Sequence, residues 1–149
     1  MDALGLLKHR FGAVQIPPAV HRELLAKVGP EAQRLDAAFS DFIRISPTPT
    51  LSSEESQRTL GLGPGEQQAL ALAHQSRTIL IIDDKLARRA ATQLNISVTG
   101  TVGLIVEASR QGLIVDVHDV LEQIRHAGYW LSDALIEAAC RKASEPRDG

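Results

Sequence analysis

The chain has 149 residues, 44% hydrophobic and 23% charged, with a formal net charge of −2; this suffices for a single domain with a real core and supplies no global positive field to recruit nucleic acid. Aromatic residues make up only 3%, so the core is aliphatic, and the same scarcity argues against a base-stacking platform for single strands. The lone Cys140 allows no internal disulfide, no apolar run approaches the roughly 20 residues of a membrane span, and MDALGLLKHR carries its charges after its apolar residues, unlike a secretory signal. The expectation is a cytoplasmic protein without a membrane segment.

In chain order, residues 2–9 predict a short helix with Leu4, Leu7 and Ala3 inward. Residues 13–16 predict a strand, stopped by Pro17-Pro18 because proline donates no ladder hydrogen bond. Pro18 suits the first turn of the next helix, with Val20, Leu24 and Leu25 inward, and Gly29-Pro30 ends it. A helix over 31–39, a strand or extended edge over 42–45 and a Pro/Thr/Ser loop over 47–53 follow. Residues 52–60 predict a weak helix. GLGPG (61–65) reads as a turn and not a nucleotide loop, since no strand precedes it and no Lys-Ser/Thr follows. Residues 66–75 then form a strong helix with Ala69, Leu70, Leu72 and Ala73 inward.

TILIIDDKLARRAA, residues 78–91, is the centre of the reading. The apolar run 78–82 predicts a strand buried on both faces, ending in Asp83 and Asp84. The period then changes to that of a helix, with Leu86, Ala90 and Leu94 inward and Lys85, Arg88 and Arg89 on the solvated face. The acids therefore stand at the carboxyl edge of a sheet, where open α/β folds bind ligands. One of them can cap the helix; a cap does not readily account for both. A short strand over 96–98, a helix from Gly100 to Gly112, helices over 116–126 and 132–142, and a frayed tail over 145–149 complete the chain. His118 between Asp116 and Asp119 reads as a helix start, and Cys140 as a core residue. Short strands alternating with helices predict an α/β fold with a mainly parallel sheet.

Two further acids qualify as site candidates. Glu66, in the first turn of its helix, lies on the rim of the apolar face; a helix of ten residues rises about 15 Å and a five-residue strand covers about 16 Å, so an antiparallel pair would bring Glu66 level with Asp83. A first-turn carboxylate also complements the helix dipole. Glu23 sits at the margin of the stripe formed by Val20 and Leu24, or pairs with Lys27 on the surface. Gathered carboxylates suit Mg²⁺ or Mn²⁺, and two such ions roughly 4 Å apart serve phosphodiester cleavage. Lys85, Arg88 and Arg89 could touch phosphates beside them, or form only a solvated face.

The segments FGAVQIPPAVHREL, GPGEQQALALA, ILIIDDKLARRAA, VTGTVGLIVEASRQGLI and AGYWLSDALI together resemble the PIN-domain-like proteins, specifically a small prokaryotic family of unassigned function related to the toxin ribonucleases of toxin–antitoxin pairs. The resemblance implies one three-layer α/β/α domain over residues 1–144 and an Mg²⁺- or Mn²⁺-dependent endoribonuclease. Its metal ligands fall on Glu23, Glu66 and one or other of Asp83 and Asp84, with Glu66, Asp83 and Asp84 the catalytic candidates and Lys85, Arg88 and Arg89, by their position, the candidates for the RNA. Implied partners are RNA, a cognate antitoxin and a second copy of the chain. The family begins with a strand carrying an Asp followed by Thr or Ser; this chain starts after it, and Asp2 is no substitute. Either the start lies too far downstream, or the protein is a catalytically impaired module that binds a partner. Ser109 stands where a basic residue is usual.

Overall fold

A computed structural model describes residues 3–146, which divide into two compact units between Thr99 and Gly100. The architecture is α/β, mostly helical with short parallel strands. Residues 1–2 and 147–149 lie outside the described part, so the roles expected of Asp2 and of the end of the tail fall there too.

The larger unit holds α1 (Ala3–Phe11), β1 (Val14–Ile16), α2 (Pro18–Leu25), α3 (Pro30–Asp41), β2 (Ile43–Ile45), α4 (Ser53–Gln57), α5 (Pro64–Ser76), β3 (Leu80–Ile81), α6 (Lys85–Gln93) and β4 (Val98–Thr99). Helices start where the sequence offers a rigid or capping residue. Pro18, Pro30 and Pro64 stand in the first turns of α2, α3 and α5, where a missing N–H costs nothing. Ser52 opens α4 with a capping box: its hydroxyl accepts from Glu55 N–H at 3.1 Å while Glu55 Oε1 accepts from Ser52 N–H at 3.0 Å.

Both sheets are parallel and two-stranded. β1 pairs with β2, Val14 opposite Ile43, and β3 pairs with β4, Leu80 opposite Val98. Val14 N–H donates to Phe42 C=O and Ile16 C=O accepts from Ser46 N–H, so the backbone groups of Gln15 face the opposite edge. Leu80 and Ile82 likewise donate toward β4, to Ser97 and Thr99, and leave those of Ile81 on the other edge. Among the described residues no strand joins the two pairs, so the expected parallel pairing is present in two pieces.

The aliphatic core divides with the sheets. Leu70, Ala73, Leu80, Ala90, Ala91, Leu94 and Ile96 pack under β3–β4, while Ala38, Phe42 and Ile43, flanked by Leu4, Leu7, Val14 and Ile16, pack around β1–β2. The expected inward faces need correction at Ala3, Leu25 and Leu86. Ala3, the first residue of α1, is exposed. Leu25 is 65% exposed, as it lies in the last turn of α2. In α5 Ala71 joins the buried Leu70, Leu72 and Ala73, with Ala69 partly buried against the same core. Leu86 is 59% exposed, and the buried stripe of α6 is Ala87, Ala90, Ala91 and Leu94, the i, i+3, i+4, i+7 set fixed by a helix that begins at Lys85.

The strand expected over 78–82 is also shorter. Arg77 caps α5 in the left-handed region (φ 53°) and Thr78 N–H returns to Ala73 C=O, so terminating the helix uses the first residue of the apolar run. Ile79 is then 41% exposed, and only Leu80 of the run is fully buried.

In the smaller unit α7 (Thr101–Arg110), α8 (Val117–His126) and α9 (Asp133–Ser144) enclose Ile105, Val106, Val117, Leu121, Leu131, Ile136 and Ala139. Asp116 and Ser132 cap α8 and α9. Arg125 links two of these helices: it donates to Glu122 on α8, to Leu131 C=O and to Asp133 Oδ1 on α9 at 2.7 Å. Cys140 is half-buried against this core. Trp130 stands 84% exposed in the loop between α8 and α9.

Candidate functional site

All seven predicted site residues lie in the larger unit. Asp83 and Asp84 leave the end of β3, where Ile82 N–H bonded to Thr99 C=O at 2.9 Å keeps the chain extended until the first acid. The two acids then separate in role. Asp84 is the N-cap of α6, its Oδ2 accepting from Ala87 N–H at 2.9 Å, while Asp83 stands one residue outside the helix. Both side chains are exposed. Lys85, Arg88 and Arg89 follow on the exposed face of α6, as the sequence predicts.

The other two acids meet the first turn of α5, which begins at Pro64 and so places Gly65 and Glu66 inside it. Glu66 folds back over the N-cap: its Oε2 lies 2.6 Å from where a Cβ on Gly63 would stand. Glu23 reaches the same turn from α2, its Oε1 lying 2.8 Å from where a Cβ on Gly65 would stand. The approach is held by a neighbouring bond. Ala19 N–H, one of the orphan donors at the start of α2, donates to Gln68 Oε1 of α5 at 2.8 Å. Two carboxylates from distant sequence thus converge on the positive end of one helix dipole.

Among the described residues no three His, Cys, Asp or Glu side chains are grouped so that they could hold a metal ion. What the fold brings to the first turn of α5 is Glu23, against Gly65, and Glu66, against Gly63, each in a cradle that a Cβ there would fill. Such a pair fits the donor chemistry of one Mg²⁺ or Mn²⁺, which takes one or two carboxylates from a protein and completes its shell with water and phosphate oxygens.

A family model described as a PIN domain matches residues 1–145. The chain belongs to the PIN-domain family. Comparison with curated proteins and with solved structures gives no match. PIN membership suggests a nuclease-type module; PIN domains generally use divalent metal ions and typically bind RNA. No helix among the described residues is long and apolar enough to cross a membrane.

Reading the sequence alone misses Gly63, Gly65 and Gln68, which stand against Glu66, Glu23 and the start of α2. GLGPG reads as a turn, and a turn does account for Gly61, whose φ is 85°. The available signal is Pro64: a proline preceded by glycine marks a first helical position, which puts Gly65 one residue inside the helix, where a turn has no use for it.

Proposed function

We propose that this PIN domain is an Mg²⁺- or Mn²⁺-dependent endoribonuclease, acting in the cytoplasm as the toxin of a toxin–antitoxin pair. The observation that carries the reading is the convergence of Glu23 and Glu66 on the first turn of α5. Glu23 and Glu66 would hold the cation, and Asp83 and Asp84, at the end of β3 and the cap of α6, would contribute their charge. The bound ion would supply an activated water at neutral pH and neutralise charge on the phosphate. Glu66 and Asp83 would orient that water and one of them would accept its proton, while Lys85, Arg88 and Arg89 would position the RNA backbone through its phosphates.

The test is cleavage of RNA with Mg²⁺ or Mn²⁺. Activity is expected to disappear with EDTA and with Asp83→Asn, whose circular dichroism should match that of the parent. Cleavage that persists in EDTA removes the metal mechanism.

One observation favours a second reading. The described residues contain no three-ligand group, which suits a catalytically impaired PIN module that binds an antitoxin or a second copy of itself. That reading predicts no cleavage, no stabilisation by divalent cations, and tight association with the product of a neighbouring gene or with itself.

A further inference from the structure

Neither glycine of the acid pair is required by its backbone. Gly63 has φ −68° and ψ 166°, extended geometry open to any residue, and Gly65 is the second residue of a regular helix. A glycine inside a helix is less stable there than an alanine would be. The space explains what the backbone does not. A Cβ at Gly65 would meet Glu23 Oε1 at 2.8 Å, with Glu23 Cδ and Val20 Cγ2 both at 3.6 Å. The only contact too close to keep is therefore with the far end of a flexible carboxylate, which can swing away at little cost; the contact with Val20 is ordinary. Alanine at this position would leave the helix intact and displace the acid.

We propose that Gly65 is a positioning residue: its missing side chain seats the Glu23 carboxylate against the first turn of α5, so that Glu23 and Glu66 face one divalent cation together. This rests on the reading of those two acids as metal ligands. Gly63 does the same for Glu66 within α5, where a Cβ would meet Oε2 at 2.6 Å. The bond from Ala19 N–H to Gln68 sets α2 at the height that brings Glu23 to the cradle.

The experiment measures Mn²⁺ binding to the whole chain by calorimetry, and Tm without metal by circular dichroism. Gly65→Ala is expected to hold or raise Tm and to weaken Mn²⁺ binding by about 10- to 100-fold, the range found when a ligand loses its orienting support. Glu23→Asp added to Gly65→Ala withdraws the carboxylate by one methylene from the new methyl group and should recover part of the lost affinity. Wild-type affinity in Gly65→Ala, or a fall in Tm with a loss that Glu23→Asp does not recover, overturns the proposal. Glu23→Gln and Glu66→Gln separate this failure from that of the metal site itself. If they bind Mn²⁺ as the parent does, or the parent binds none, the acids are not ligands and both readings fall; if they lose Mn²⁺ while Gly65→Ala keeps it, only the seating role falls.

Discussion

Ala19 on α2 donates its backbone N–H to the side chain of Gln68 on α5, at 2.8 Å. Pro17 and Pro18 ahead of it give α2 no side-chain cap, so a residue from another helix serves in place of a local N-cap. Gln68→Leu should leave that part-buried donor without its partner and destabilise the protein by about 1–3 kcal/mol, measured by urea unfolding. An unchanged midpoint would show that the bond contributes nothing net.

The two aspartates can be told apart by their chemistry. Asn caps a helix as well as Asp does, whereas Ala does not, so Asp84→Asn should keep stability and Asp84→Ala should lose about 1 kcal/mol. Cleavage that survives Asp84→Asn but not Asp83→Asn would assign the metal to Asp83. The reverse result would give the cap residue the second role.

Glu55 supplies a pH dependence. Its backbone and side-chain hydrogen bonds with Ser52, with His74 adding to them, hold its carboxyl below the ordinary 4.5. A carboxyl whose folded value is depressed stabilises the protein fully above its unfolded value, and that contribution is lost as pH falls through the lower folded one. Thermal melts from pH 6 down to about pH 3 should therefore show a loss of Tm that is smaller in Glu55→Gln and in Ser52→Ala. A parental slope in both variants would remove Glu55 as the source.

Leu70 and Leu121 are fully buried, one in each unit. Alanine at either should destabilise by about 2–5 kcal/mol, the usual cost of an aliphatic core truncation with its cavity. Circular dichroism during denaturation reads both, and a loss under about 1 kcal/mol would indicate that the site collapses to fill the gap.

Most of the elements were legible in the sequence because they rest on local signals. Pro18 starts α2, Ser132 caps α9, and the switch from apolar run to helical period locates the β3–α6 junction and its two aspartates. What escaped depends on relations the period cannot show. The run from Thr78 reads as strand from its first residue, but the left-handed close of α5 at Arg77 consumes that start. Leu86 is apolar at a helical spacing and still points outward, because the start of α6 sets the phase. Gly65 escaped for a third reason: its part is an empty volume, visible only when α2 is set beside α5. The acids were found individually; that two of them share a helix end is a property of packing.

The exposed indole of Trp130 has a practical consequence. It is the only tryptophan and follows the only tyrosine, both in the helical unit beyond Gly100. An indole already bathed in solvent changes its emission little when the chain unfolds, and it stands in the unit without the acids. Intrinsic fluorescence is thus a weak reporter of unfolding here. A tryptophan introduced at Leu62, half-buried beside the core under β3–β4, would give that region an optical voice of its own.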